Sequence, residues 1–592
     1  MSDSLKITTL TARDAVRRLS GSLRSSKILR WPLAISVPDK VEVSLGDLMP
    51  ADALLAQDYY NGRFALSGVV VETSGDSPFI SASPSRDWQN ELHSFSWLRH
   101  IAAADTNLAR AHGNGLLHDW VMFWGNQTTS RTWSPAITAR RLLSWCRYLP
   151  LLASEAHPDQ TALLHKSAIR QAKHLYQKLP VLSPTSDKLQ VLIALAAISL
   201  CYNQKERFVR LILRELDREL QLQIKADGVH ISRNPQDLIL LLADLIPLRN
   251  LHSDCMVPPS STLVNAIDRM ASAVRFFQHS HGELAQFNGT GETDAELLQN
   301  ILNATENSQA TKSAPQSGYE RLAEGGTIII ADTGSPENTL PAADNLAGTL
   351  SFELSSGKNT FIMNCGVPVL NRELYLPYAR STAAHSTLVL ENASSSRYTN
   401  ARLGDEGSST ILIRSPQKVL AERSVADGGD TLTTSHDGYL QQFGFVHQRR
   451  LTLCDNGETV LGADSLDQPK NINAPTPPLE FCLRFHLPPN ISASLLANGH
   501  SILLAAPDRD AWTFTCIDAP IALEESIRFA GREGPRKTEQ IVVRANTNDH
   551  KEVRWTLNRR KKKSARRTTT RAEEPDLLSP LDDPIFEPEG QK

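Results

Sequence analysis

The spacing of apolar residues changes once along this chain, near Gly282, and that change limits what it can fold into. Before it, apolar side chains recur at intervals of three and four, as in ELHSFSWLRHIAAA with Leu92, Phe95, Leu98 and Ala102 on one face. After it, short stretches alternate apolar and polar residues and are bounded by Gly, Asn and Asp, as in GTLSFELSSG and STLVLENA. One core cannot serve both halves of a 592-residue chain. The expected organisation is an N-terminal basic extension over 1–50, a helical domain over 51–300, a β domain over 301–557 and a disordered charged tail over 558–592.

Helical segments are predicted near 107–122 and at 136–152, 161–179, 187–202, 208–224, 235–252 and 260–279, separated by Pro, Gly, Ser or Asp stops. Paired helices of this length stack into a toroid or a solenoid, and the period alone leaves both open. GRFALSGVVVE reads as short strands leading into the first helix. In the second half, DNG at 455–457 and NG at 498–499 are hairpin turns, and the number of strands predicts a large antiparallel sandwich. A cleft is expected where the halves meet.

Leu10, Ala15, Val16 and Leu19 interleave with Arg13, Arg17 and Arg18, which describes a helix docked on the body, with a membrane surface as the alternative. No apolar run has membrane-spanning length and no leader precedes a cleavage site, so the cytoplasm is expected, with the periplasm or cell envelope as the alternative. Seven scattered cysteines read as reduced, buried residues. The formal charge of −3 gives no bulk attraction to nucleic acid, so an anionic ligand would need a local positive cleft. Residues 559–571 carry eight basic side chains and read as a solvated tail.

Five groups could carry chemistry. In DGVHISRNP, Gly228 turns the chain and Asn234 caps a helix opened by Pro235, which presents His230, Arg233 and Asn234 at a helix N-terminus. His279, His281 and Glu283 form a weak metal pattern beside Asn288. Arg380 and His385 lie at the entrance of the strand Leu388 to Leu390. His436 and Tyr439 occupy a turn, followed by a strand expected to carry Phe443, Phe445 and His447 on one face and Gln448 and Arg450 on the other. A further strand holds Arg484 and His486. Gly-x-Ser-x-Gly, Walker, Cys-x-x-Cys and His-Glu-x-x-His patterns are absent.

DGVHISRNP, HGELAQFNG at 281–289, ARSTAAHSTLVLEN at 379–392, HDGY at 436–439, GFVHQRRL at 444–451, GADSL at 462–466 and LRFHLPP at 483–489 occur in an order that resembles the heparinase II/III-like family, in its bacterial branch without an evident signal peptide. The resemblance implies an α/α toroid, an incomplete barrel, followed by a large antiparallel β-sandwich. It also implies β-elimination on a uronic-acid-containing polysaccharide such as a glycosaminoglycan, with His385 at the family histidine position. The family's toroid positions differ here: 186–189 is Ser-Asp-Lys-Leu, with neither Asn nor His, and no tyrosine follows Gly228 in the turn.

Elimination needs a neutralised carboxylate, a base for the adjacent C–H and an acid for the leaving oxygen. The expected catalytic set is His385 or His230 as base, Tyr439 as acid and Asn234 on the carboxylate, with Arg233, Arg380, His436 and Arg450 binding substrate. The expected partner is an anionic polysaccharide or oligosaccharide, with no nucleic acid, and an exposed edge leaves room for a homodimer. No cofactor is required, and a structural divalent metal in the β domain is left open. The alternative is a noncatalytic protein for anionic-glycan binding or envelope assembly that retains the fold. Hydrolysis ranks third, because no carboxylate pair stands out.

Overall fold

A computed structural model describes residues 3–25, 37, 41, 43–154, 156–306, 308–336, 345–402, 408–426, 428–469 and 478–560. Most of the expected charged tail therefore lies outside the described residues. The helical half is double-layered. Ser186–Cys201, sequence SDKLQVLIALAAISLC, is apolar on every side and buries every residue from Leu189 to Cys201, as an inner-wall helix must. It packs between Pro135–Leu152 and Pro235–Asp254, which form the rest of that wall. Glu206–Gln223 instead buries Phe208, Ile212, Leu216 and Leu220 on a four-residue repeat and turns its charges outward except Glu219, which is buried against Lys188. With Pro158–Lys178 and Ser261–Phe276 it belongs to the outer layer. Together the layers make an α/α toroid, closed only in part.

The β half is antiparallel throughout. Its largest sheet has eight strands in the order Val419–Ala426, Gly429–His436, Val446–Cys454, Thr459–Asp467, Glu552–Arg559, Ala511–Thr515, Ser501–Ala505 and Ser492–Leu495. A four-stranded sheet sets Leu388–Leu390 beside Glu480–His486, and a five-stranded sheet runs from Ser313–Ala314 to Asn359–Ile362. The aromatic centre joins the sheets: Trp555 stacks on Phe352 at 5.7 Å and meets Phe485 edge-on at 4.9 Å. Gly462 lies opposite Trp555 in the ladder, and a Cβ there would come within 2.1 Å of the indole. The DNG turn joins its two strands with Asp455, Asn456 and Gly457 all at positive φ.

The N-terminal helix Asp3–Ser25 docks on the body as expected and touches both halves: it lies along Leu179–Val181 of the helical half, and its Ile7 and Leu10 pack against Ile411 and Ile413 of the β half. One feature departs from the sequence reading. Phe443 is not in a strand: it ends a short helical turn, Leu440–Phe443, and the strand begins at Val446. A Tyr-Leu-Gln-Gln-Phe stretch after a turn has enough helix-forming residues to make one more turn before extending.

Candidate functional site

At the seam between the halves, the DGVHISRNP segment turns at Gly228, whose φ is 85° and whose missing Cβ leaves room for the Arg269 carbonyl. Asn234 caps the Pro235 helix by accepting the Gln236 N–H at 3.0 Å, as read from the sequence. It also accepts the Thr290 hydroxyl at 2.8 Å, so a neighbouring loop already occupies this helix mouth. His230 accepts the Ser232 N–H on Nδ1 at 3.1 Å and donates from Nε2 to Gln223 Oε1 at 2.8 Å. Burial lowers its pKa to about 3, so it is a neutral structural imidazole at pH 7.

Arg233 crosses the seam. It is 2 % exposed, its backbone sits at φ 58°, and its guanidinium donates to Ser317 O at 2.7 Å, Gly318 O at 3.1 Å, Ser335 O at 3.2 Å and the Asp332 carboxylate. The Tyr319 ring lies 4.6 Å beneath it, and the Tyr319 hydroxyl donates back to Arg233 O at 2.7 Å. A cavity of about 450 Å³ opens beside Lys225 and Arg233. The Arg233 donors that face it are already taken by protein oxygens.

A second seam network was not singled out from the sequence. Glu353, 2 % exposed on an otherwise buried strand, accepts His279 Nε2 at 2.8 Å, Gln286 N–H at 3.1 Å and Asn364 N–H at 2.9 Å. His279 Nδ1 meets Ser355 Oγ at 3.0 Å, so His279 turns away from the expected metal pattern and leaves His281 with Glu283 at 3.4 Å. Among the described residues no group of three or more His, Cys, Asp and Glu side chains gathers to hold a metal ion. Alternation puts Glu353 on the face opposite the core residues Phe352 and Leu354, where a polar residue is ordinary, so its burial under the His279 loop had no signal in the strand itself.

His385 stands three residues before Leu388–Leu390 and is 3 % exposed. Its Nδ1 donates to Ser381 O at 2.9 Å, which leaves the Nε2 lone pair towards Gly348, where an added Cβ would lie 3.0 Å from it. Burial lowers its pKa to about 4. Arg380 donates to Thr410 Oγ1 at 2.9 Å and lies over Tyr398. His486, in the adjoining strand, spans Ser526 Oγ at 2.7 Å and Ala383 O at 3.0 Å.

The remaining candidates lie elsewhere. Tyr439 is 1 % exposed, donates to Leu388 O at 3.0 Å, and has its pKa pushed up by burial, so its proton is held inside the sandwich. His436 and His447 form a buried chain. His436 Nδ1 accepts the Gly438 N–H at 3.0 Å, the two rings meet at 3.3 Å, and His447 Nε2 reaches Asp464 at 2.8 Å. Arg449 closes it, donating to Asp464 at 2.8 Å and to Ser386 O at 2.8 Å, next to His385. Arg450 points to solvent. The fold thus gathers His230, Arg233 and Asn234 at the seam, places His385 on the sandwich, and keeps Tyr439 and His436 inside the β core.

Residues 306–556 match the heparinase II/III-like C-terminal family. Homology to the heparinase II/III-like family is thus shown for the β half. The fold of the chain is shared with solved structures. Heparinase III superposes with a TM-score of 0.63 at 13% identity, over 83% of this chain and 79% of that one. The heparan sulfate lyase HepC from Pedobacter heparinus gives 0.56 at 14% identity, over 94% and 88%. Sequence likeness is higher to FtsZ-localized protein C of Caulobacter vibrioides, at 29% identity over 539 residues, 90% of this chain and 92% of that protein. The lyase-like architecture is common to the solved structures, and no helix among the described residues is long and apolar enough to cross a membrane.

Proposed function

We propose that this chain is a noncatalytic member of the lyase fold, an envelope-assembly protein that works with the cell-division machinery. The observation that carries this reading is the state of the expected acid, of one of the two expected bases and of the groups expected to hold the substrate carboxylate. His230, Asn234, Tyr439 and Arg233 are buried and committed to protein partners. Elimination needs a base and an acid within hydrogen-bond reach of one sugar carbon and its leaving oxygen. A tyrosine proton pinned to a strand carbonyl inside the core cannot reach a substrate, and a histidine with pKa about 3 is a poor base.

The near full-length likeness to a protein named for its localisation with FtsZ supports the division-site part of the reading. Binding of the purified chain to FtsZ, followed by fluorescence anisotropy, is expected to saturate. Absence of binding together with elimination activity on a uronate polymer would overturn it.

One observation favours the lyase as a second reading. Among the described residues the Nε2 lone pair of His385 has no protein partner, and His385 is at the position that the family resemblance assigns to a sandwich histidine. If it is the base of a uronate lyase, product formation disappears in His385→Ala.

A further inference from the structure

The toroid interior contains a buried positive charge that no carboxylate among the described residues balances. Arg141, on the inner helix Pro135–Leu152, is 0 % exposed and has its guanidinium 4.1 Å from the Trp120 ring centre and 5.6 Å from that of Trp133. All its acceptors are neutral: Gln171 Oε1 at 2.8 Å, His93 O at 2.9 Å, Thr132 O at 3.0 Å and Thr138 Oγ1 at 3.2 Å. An unbalanced ion in so apolar a setting is costly, and proteins normally pair it.

Its surroundings are rich in donors with nothing to donate to. Gln171, 0 % exposed, gives its Oε1 to Arg141, and that orients its Nε2–H₂ as a donor without an acceptor. One turn after Arg141, the Trp145 indole N–H is equally unmatched at 1 % exposure; one turn before Gln171, the Ser167 hydroxyl has no partner at 3 % exposure. Trp145 packs edge-on against Trp120, the ring that carries Arg141, and the Arg141–Gln171 hydrogen bond spans the Pro135 and Pro158 helices. The charge also reaches its neighbours, since burial first and the Arg141 charge second lower the pKa of His93 to about 3.

We propose that Arg141, Trp145, Gln171 and Ser167 form an internal binding site for a small inorganic monoanion, with chloride as the expected occupant. The anion balances the guanidinium and accepts from the amide, indole and hydroxyl donors. It would fasten the first inner helix to its outer neighbour without contributing to the seam.

The test compares melting temperatures of the full chain in chloride and in gluconate at equal ionic strength, together with anomalous scattering from crystals grown in bromide. Chloride is expected to raise the melting temperature saturably, by about 2 °C at roughly 100 mM, because an anion that binds only the folded state stabilises it. Bromide is expected within hydrogen-bond distance of Trp145 Nε1 and Gln171 Nε2. Arg141→Met should lose the chloride effect but could fail to fold. Gln171→Glu is therefore the second variant: its internal carboxylate replaces the anion, so it should fold and melt at the same temperature in both salts. Equal melting of wild type in the two salts with no bromide peak, a water at this position, or a chloride effect that survives Gln171→Glu would overturn the proposal.

Discussion

Arg233 joins the two halves by charge and by backbone at once, because its left-handed φ aims a guanidinium that four oxygens then hold. Removing one partner of a buried pair leaves the other uncompensated, so Arg233→Met should cost about 3–5 kcal/mol in chemical denaturation. Arg233→Lys should recover little, since a single ammonium cannot span those acceptors. Buried histidines set the pH response: burial lowers the pKa of His93, His230 and His486 to about 3 and of His385 to about 4, and lowers those of His165, His252, His436 and His447 as well. Their folded values lie below the unfolded value of 6.5, so protonation favours the unfolded chain. The contribution of the first four is complete above pH 6.5 and is lost as pH falls towards about 4 for His385 and about 3 for the other three, by up to roughly 1.4 kcal/mol per unit for each group. Thermal melts should drop steadily from pH 7 to pH 5, and a flat profile would contradict this assignment. At this scale the Asn234 cap was legible, because Asn-Pro at a helix start has a local cause. That Arg233 would face Asp332 rather than a ligand was not, since Asp332 lies ninety-nine residues further on.

Elements were legible where their period was long or their turn chemistry specific. The all-apolar Ser186–Cys201 helix and the DNG hairpin are examples, each formed for a reason contained in its own residues. The N-terminal helix was legible as a docked helix, but its site was not, because Ile411 and Ile413 come from a hairpin four hundred residues away. Leu10→Ala should weaken this docking by about 2 kcal/mol, at the low end for a buried leucine because the cluster is small. Hydrogen exchange should then rise in Asp3–Ser25 alone; protection equal to wild type would place the docking energy elsewhere. In the large sheet, Gly462→Ala drives a methyl into Trp555 and should cost about 1–3 kcal/mol in equilibrium unfolding.

For the whole molecule, the change of period near Gly282 was enough to foresee a helical domain joined to an antiparallel sandwich, because each half's spacing reports its own core; that the helices form a toroid was legible only through the family resemblance. The seam was harder to read. Sequence reasoning could collect polar residues that chemistry might use, but only packing decides whether their donors and lone pairs meet a substrate or one another. In this chain most meet one another: Arg233 with Asp332, His279 with Glu353, and Asn234 with Thr290. The seam is therefore bridged by structural contacts, beside the cavity of about 450 Å³ next to Lys225 and Arg233. The most direct test is the ultraviolet absorbance of unsaturated uronate product when the purified chain meets heparan sulfate, heparin, alginate, hyaluronan, chondroitin and bacterial exopolysaccharides. The account predicts no rise with any of them, for wild type and for His385→Ala alike. A rise with one polymer that His385→Ala abolishes would contradict it and make His385 the base of a working lyase.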